Sequence, residues 1–226
     1  FFVNLDTFHS ILYTSIIMVI THLGGESFKI QFGDITLAFN PVSKDSKKWK
    51  PSKFGADIAL ITTNHPDMNG SDQVSFGEKK AFAITGPGEY EVKEVFIKGF
   101  KSDSKYGGED FINTIYSVAL ENMNICFLGA LTKDMPSETM ESLDGVDVLF
   151  VPIGGDGVLS PAEAAKIAVK IGPKLVIPMH YDSASLKSFL KESGEESVKP
   201  IDKLTLKKKD LDGKEGDVVV LDVHGS

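Results

Sequence analysis

The feature that most constrains this chain is a change of rhythm halfway along it. From residue 19 to about residue 128, short apolar runs rich in Val, Ile and Phe are separated by Gly, Asp and Pro. That is the chemistry of strands joined by turns. Runs at 19–23, 28–32 and 35–39 come first, and Gly33-Asp34 between the last two reads as a tight hairpin turn. A buried strand at 57–62 leads into the polar segment TTNHPDMNG, and further strands are expected at 80–84, 91–100, 114–120 and 124–128. Polar residues at a strand end are where sites tend to sit.

Beyond this point strands alternate with helices. Residues 146–153 read as a strand, and Ser160-Pro161 then opens a helix with Ser as N-cap, Pro at the first helical position and Glu163 closing a capping box. Gly172 ends it. After a strand at 175–179, Leu186, Phe189 and Leu190 share one face of a second helix that stops at Gly194, and strands at 203–206 and 218–223 close the chain. A β-rich half, a βαβα half and closing strands predict an α+β fold: a four-layer αββα sandwich of two packed sheets with helices outside.

Composition narrows the function classes. The chain has 226 residues, enough for one large domain with a real core. Its 24 basic against 32 acidic residues, net −8, give no electrostatic footprint for nucleic acid or an anionic membrane, which leaves a small molecule as the expected partner class. One basic cluster, Lys44, Lys47, Lys48, Lys50 and Lys53, reads as a solvated loop, with an anion site as the alternative. The single cysteine, Cys126, sits in the apolar string NICFLG and reads as a buried strand thiol in a reducing, cytoplasmic compartment. Residues 1–17 are apolar but carry Asp6 and His9, with no basic opening and no small-residue cleavage site. They are set aside as an N-terminal extension to a domain over 18–226.

Several segments in order carry a resemblance: ITHLGGESFKI, DIALITTNHPDMNG, GPGEYEV, NTIY, ICFLGAL, VDVLFVPIGG and VIPMHY. Together they resemble the ascorbate-6-phosphate-lactonase-like branch of the metallo-β-lactamase superfamily, from about Met18 to Val223. The resemblance implies a site for one or two metals, zinc or manganese, built from an H-x-H-x-D-H loop, a further His, a bridging Asp and a final His. Imidazole and carboxylate suit such ions, and the metal turns bound water into hydroxide near neutral pH. Matched residue by residue, the loop falls on Thr63, Asn64, His65, Pro66, Asp67 and Met68, so the second His and the Asp survive. The bridging Asp is replaced by Ala130, no His lies between Gly99 and Asn113, Gly25 stands where a His is common, and Asn40 stands where an Asp precedes the Pro. The final His is present as His180.

His65, Asp67 and His180 are therefore the candidate metal ligands, with Asp67 also the candidate catalytic residue. Thr63 offers a weakly basic hydroxyl and Met68 a soft thioether, and neither restores an imidazole. His22 reads as a packed core histidine, Glu89 as part of a structural turn made by the Gly86-Pro87-Gly88 segment, and Asp156 as a turn residue rather than a replacement ligand. Two functions stay open. One is a degenerate pseudoenzyme that keeps the sandwich for a binding or scaffold role. The alternative is a metal-dependent hydrolase of a small phosphorylated or lactone-like substrate, working with a reduced site.

Overall fold

The computed structural model describes residues 17–78, 80–120 and 122–224. The proposed extension over 1–17 lies outside the described residues apart from Ile17. Two sheets carry the domain. The first contains β1 (Met18–Gly24), β2 (Ser27–Phe32), β3 (Ile35–Phe39), β4 (Ile58–Leu60) and β5 (Phe82–Ile84) in that order, and a late strand from the second half adds beside β1. The second sheet holds β6 (Gly88–Val92), β7 (Val95–Ser104), β8 (Phe111–Leu120), β9 (Met123–Phe127), β10 (Val148–Pro152) and β11 (Leu175–Met179). The late strand of the first sheet is β12 (Leu204–Leu206), and β13 (Asp217–Val218) closes the second beside β11.

Antiparallel pairing joins the hairpin-connected strands β1–β2–β3 and β6–β7–β8–β9. Parallel pairing begins where a crossover intervenes: β3–β4–β5 in one sheet, β9–β10–β11–β13 in the other. The strand expected over 91–100 is two strands. Val92 pairs with Val95 across Lys93 and Glu94, whose φ values of 51° and 64° make a tight turn of the type that matches strand twist. The strand expected over 218–223 shortens to β13 and then continues as isolated bridges, Leu221 to Ile201 and Val223 to His22.

Burial follows the layering. β1 alternates buried and half-buried residues, because one face looks into the sandwich and the other outward. β10 (VLFVP) and β11 (LVIPM) are buried at every position, since the inter-sheet core covers one face and helices cover the other. Between the sheets, Phe28 and Phe39 of the first meet Phe127 and Phe150 of the second, with ring centroids 4.8 Å apart for Phe28–Phe150 and 4.7 Å for Phe39–Phe127. Truncating one of these to Ala would cost about 3–5 kcal/mol.

Three α-helices lie on the outer face of the second sheet: α1 (Ser137–Glu141), α2 (Pro161–Ile171) and α3 (Ser183–Glu192). The α2 start has the expected capping box between Ser160 and Glu163, and Gly172 ends the helix at φ 63°. On the outer face of the first sheet, Ala38 and Ala59 pack against Ala56, Val74 and Phe54 from irregular chain and a single 3-10 turn. Among the described residues the α-helices are therefore concentrated on one side of the sandwich. No helix among the described residues is long and apolar enough to cross a membrane.

Candidate functional site

The loops after β4, β7, β9 and β11 and the turn between β1 and β2 converge at one edge of the sandwich. The two sheets are stitched there: the Thr114 amide donates to the Thr62 carbonyl at 2.9 Å, and the His180 amide donates to the Gly25 carbonyl at 3.0 Å. All three candidate ligands reach this edge. They are organised around a residue the sequence reading did not single out, Tyr106, in the turn that follows β7. Its ring lies edge-on against His65 and His180, with centroids 4.8 Å and 5.1 Å away, and its hydroxyl donates to Asp67 Oδ2 at 2.7 Å. Burial, and then the bond to Asp67, pushes the Tyr106 phenol well above the ordinary tyrosine value, so it stays protonated as a donor.

Asp67 is buried, and its second oxygen accepts from Ser46 Oγ at 2.6 Å. Ser46 in turn accepts from the amides of Lys48 and Trp49, so the carboxylate anchors the whole lysine-rich loop. His65 Nδ1 accepts the Asp67 amide at 3.1 Å, which places the proton of the neutral ring on Nε2. His180 is held the other way. Its Nδ1 lies 2.9 Å from Glu26 Oε1, and because a carboxylate only accepts, Nδ1 carries the proton. Glu26 is itself buried and accepts from Asn40 Nδ2 at 3.1 Å, while the same amide also donates to Thr62 Oγ1 at 2.9 Å. Thr62, Asn40, Glu26 and His180 thus form one polar chain, buried except at the partly exposed His180.

The positions where the resemblance implies lost ligands are filled by other chemistry. Met68 and Ala130 are buried and pack with Tyr106 and Val158 as a small apolar cluster. Thr63 Oγ1 donates to Asn113 Oδ1 at 3.2 Å. That amide is satisfied on all sides: Oδ1 also accepts from the Ala130 amide, and Nδ2 donates to Ser102 Oγ and the Leu128 carbonyl, each at 2.9 Å. Gly25, at φ 59°, stands against Trp49, whose Nε1 would lie 2.9 Å from a Cβ added there. The Trp49 indole hydrogen-bonds Tyr106 from that seat.

These residues do not fit a metal ion. The Nδ1 lone pair of His65 is engaged and its Nε2 carries the proton, both Asp67 oxygens receive hydroxyl donors, and Tyr106 stands between the two imidazoles. Among the described residues no group of three or more His, Cys, Asp or Glu side chains is placed to hold one.

The other residues weighed from sequence lie elsewhere or are structural. Glu89 is exposed on β6 and pairs with Lys98, and Tyr90 folds back so that its hydroxyl bonds the Gly86 carbonyl. Asp156 sits in a turn at φ 41°. His22 is buried and stacks on Phe28 with centroids 4.5 Å apart. Tyr106, Glu26, Trp49 and Ser46 were missed because their roles come from contacts between loops distant in sequence. The one available signal was the lack of any histidine between Gly99 and Asn113, the interval that contains Tyr106.

Known proteins share this architecture. The β-lactamase superfamily domain matches residues 19–180, a span that contains every residue of the edge just described. A Listeria welshimeri protein named as a UPF0173 metal-dependent hydrolase is 42% identical over 201 residues, covering 75% of this chain and 87% of its own. One from Thermococcus onnurineus with the same family name is 30% identical over 163 residues, covering 59% of this chain and 70% of its own. A crystal structure from Thermotoga maritima, named for a Zn-dependent hydrolase of the metallo-β-lactamase superfamily, superposes with a TM-score of 0.73 at 27% identity and covers 90% of this chain and 98% of its own. The chain belongs to the β-lactamase superfamily, and within it to the UPF0173 metal-dependent hydrolase family.

Proposed function

We propose that this chain is a metal-free, non-catalytic member of its family that keeps the sandwich as a binding scaffold in a cytoplasmic setting. One observation carries the reading: Tyr106 takes the place between His65 and His180 and commits Asp67 as its hydrogen-bond acceptor. A fold persists without its site because the core carries stability, and function follows the side chains present. The finer kinship, with the ascorbate-6-phosphate-lactonase-like branch, rests on GPGEYEV and VIPMHY and is part of the same proposal. The second reading is a zinc- or manganese-dependent hydrolase of a small phosphorylated or lactone-like substrate. It draws on the names of the relatives and on His180, whose protonated Nδ1 leaves the Nε2 lone pair for a metal.

Metal linkage separates the two. An ion at ~100 times its dissociation constant would add roughly 2.7 kcal/mol of stability. The expected result is no metal after purification without added metal, and no zinc- or manganese-dependent rise in melting temperature. A rise that His65→Ala and His180→Ala each abolish overturns the proposal. The positive counterpart is Thr63→His, Met68→His and Ala130→Asp combined with Tyr106→Ala, which returns imidazole and carboxylate donors and removes the ring between them. That variant is expected to bind zinc; if it binds no better than the parent, the matching of these positions is wrong.

A further inference from the structure

The outer face of β1 and β2, on the side where the described residues place no α-helix, carries a groove of about 700 Å³. Its floor is the outward face of the strands, with Val19, Thr21 and Leu23 of β1 beside Lys29 and Gln31 of β2; its walls are residues 48–54 and the late segments at 202–203 and 223–224. The basic cluster that sequence alone read as a solvated loop is folded into this wall. Lys48, Lys50 and Lys53 line the groove together with Lys29 from β2 and Lys203 from the other side. Among the described residues Asp202 is the sole acidic one in the lining, and its carboxylate is 3.3 Å from His224 Nδ1.

Five lysines in one concavity of a chain with net charge −8 is a strong segregation of sign. A cleft lined by one sign of charge, with low-dielectric walls, concentrates ligands of the opposite sign. The walls here are aromatic. Trp49 and Phe54 face the groove, the Lys48 ammonium lies 5.6 Å from the Trp49 ring, and the Lys29 ammonium lies 5.5 Å from the Phe54 ring. Cations beside aromatic faces present two complementary surfaces at once, a flat apolar plate and a donor-rich rim. The volume lies in the range of small-molecule sites and is too small for a folded partner to enter.

We propose that this groove binds a nucleoside di- or triphosphate, with the base laid against Phe54 and the phosphates among Lys29, Lys53 and Lys203. The inference does not depend on the state of the metal edge. It gives the scaffold a ligand class, and Trp49, which touches both the groove and Tyr106, is the wall the two regions share.

Trp49 is also the one tryptophan of the chain, so its fluorescence reports on the groove directly. The test titrates the full chain with ATP, inorganic tripolyphosphate and adenosine, followed by tryptophan fluorescence and by calorimetry. The expected result is saturable binding of ATP, tighter than tripolyphosphate, and weakening as salt rises from about 50 to about 300 mM. Lys53→Glu combined with Lys203→Glu is expected to weaken ATP by at least about tenfold, while Lys187→Glu on α3 leaves it unchanged. Phe54→Leu should reduce ATP binding toward that of tripolyphosphate. Circular dichroism confirms that each variant is folded. Absence of ATP binding, equal affinity for ATP and tripolyphosphate, or equal damage from Lys187→Glu overturns the proposal. So does an RNA oligonucleotide that binds tighter than ATP and needs the same two lysines.

Discussion

Tyr106 donates its hydroxyl to Asp67 Oδ2 at 2.7 Å, across an edge where the resemblance implies metal ligands. Tyr106→Phe would keep the ring between the histidines and remove this bond together with the one from the Trp49 indole, leaving a buried carboxylate with Ser46 as its side-chain donor. The expected cost is about 1–3 kcal/mol in chemical denaturation. Alkaline titration gives a second readout. The folded-state value of Tyr106 is raised above the ordinary 10.0, so the native state keeps a proton that the unfolded chain releases. The contribution of Tyr106 to stability is then full below pH 10 and falls as pH climbs past it. Tyr181, pushed up to about 12 by burial, acts in the same direction. Tyr106→Phe should make that alkaline slope shallower, and an unchanged slope would mean the phenol is not held this way.

His22 predicts the acid limb. Both ring nitrogens face carbonyls, Leu221 at 3.3 Å and Gly25 at 3.1 Å, which favours the protonated ring, but burial opposes it and prevails, lowering its value below 6.5. A depressed value means stability that is present above pH 6.5 and lost as pH falls through the folded-state value. His22→Phe should flatten the stability profile below that point. It should cost less than about 1.5 kcal/mol at neutral pH, because the ring still stacks on Phe28. Both carbonyls also keep another donor, His180 N–H for Gly25 and Tyr181 Oη for Leu221. Urea melts between pH 5 and 8 would measure both effects.

Asn40 explains why an amide stands where the resemblance implies an aspartate. Its Nδ2 donates to Glu26 and to Thr62, two donations that a carboxylate cannot make. Asn40→Asp would set two buried carboxylates at hydrogen-bond distance, with an expected loss of about 3 kcal/mol near neutral pH that shrinks on acidification. Adding Glu26→Gln should recover much of it by supplying a donor. A double variant no more stable than Asn40→Asp alone would contradict the assigned direction of these bonds.

How much of this could be read from the residues depends on the range of the cause. The α2 boundaries follow from a capping box and a glycine within a few positions, and both are found. The buried character of β10 and β11 shows in unbroken apolar runs. The Lys93-Glu94 turn was hidden because neither residue type favours positive φ, and pairing across the hairpin imposes it. The survival of His65, Asp67 and His180 is plain in the sequence. That Ser46 and Tyr106 would take both oxygens of Asp67 is not, because it depends on how the loops after β3 and β7 fold over the end of β4.

Sheet order also bears on how the chain assembles. β6, β7, β8 and β9 pair each with its neighbour in sequence, so this meander can zip up from local contacts as soon as it is synthesised. The first sheet cannot finish that way, because Met18 of β1 pairs with Leu206 of β12. One edge of β1 must wait, unpaired, until nearly all of the domain has emerged. Until the three-residue strand Leu204–Leu206 arrives, that open edge is a template for pairing with another chain.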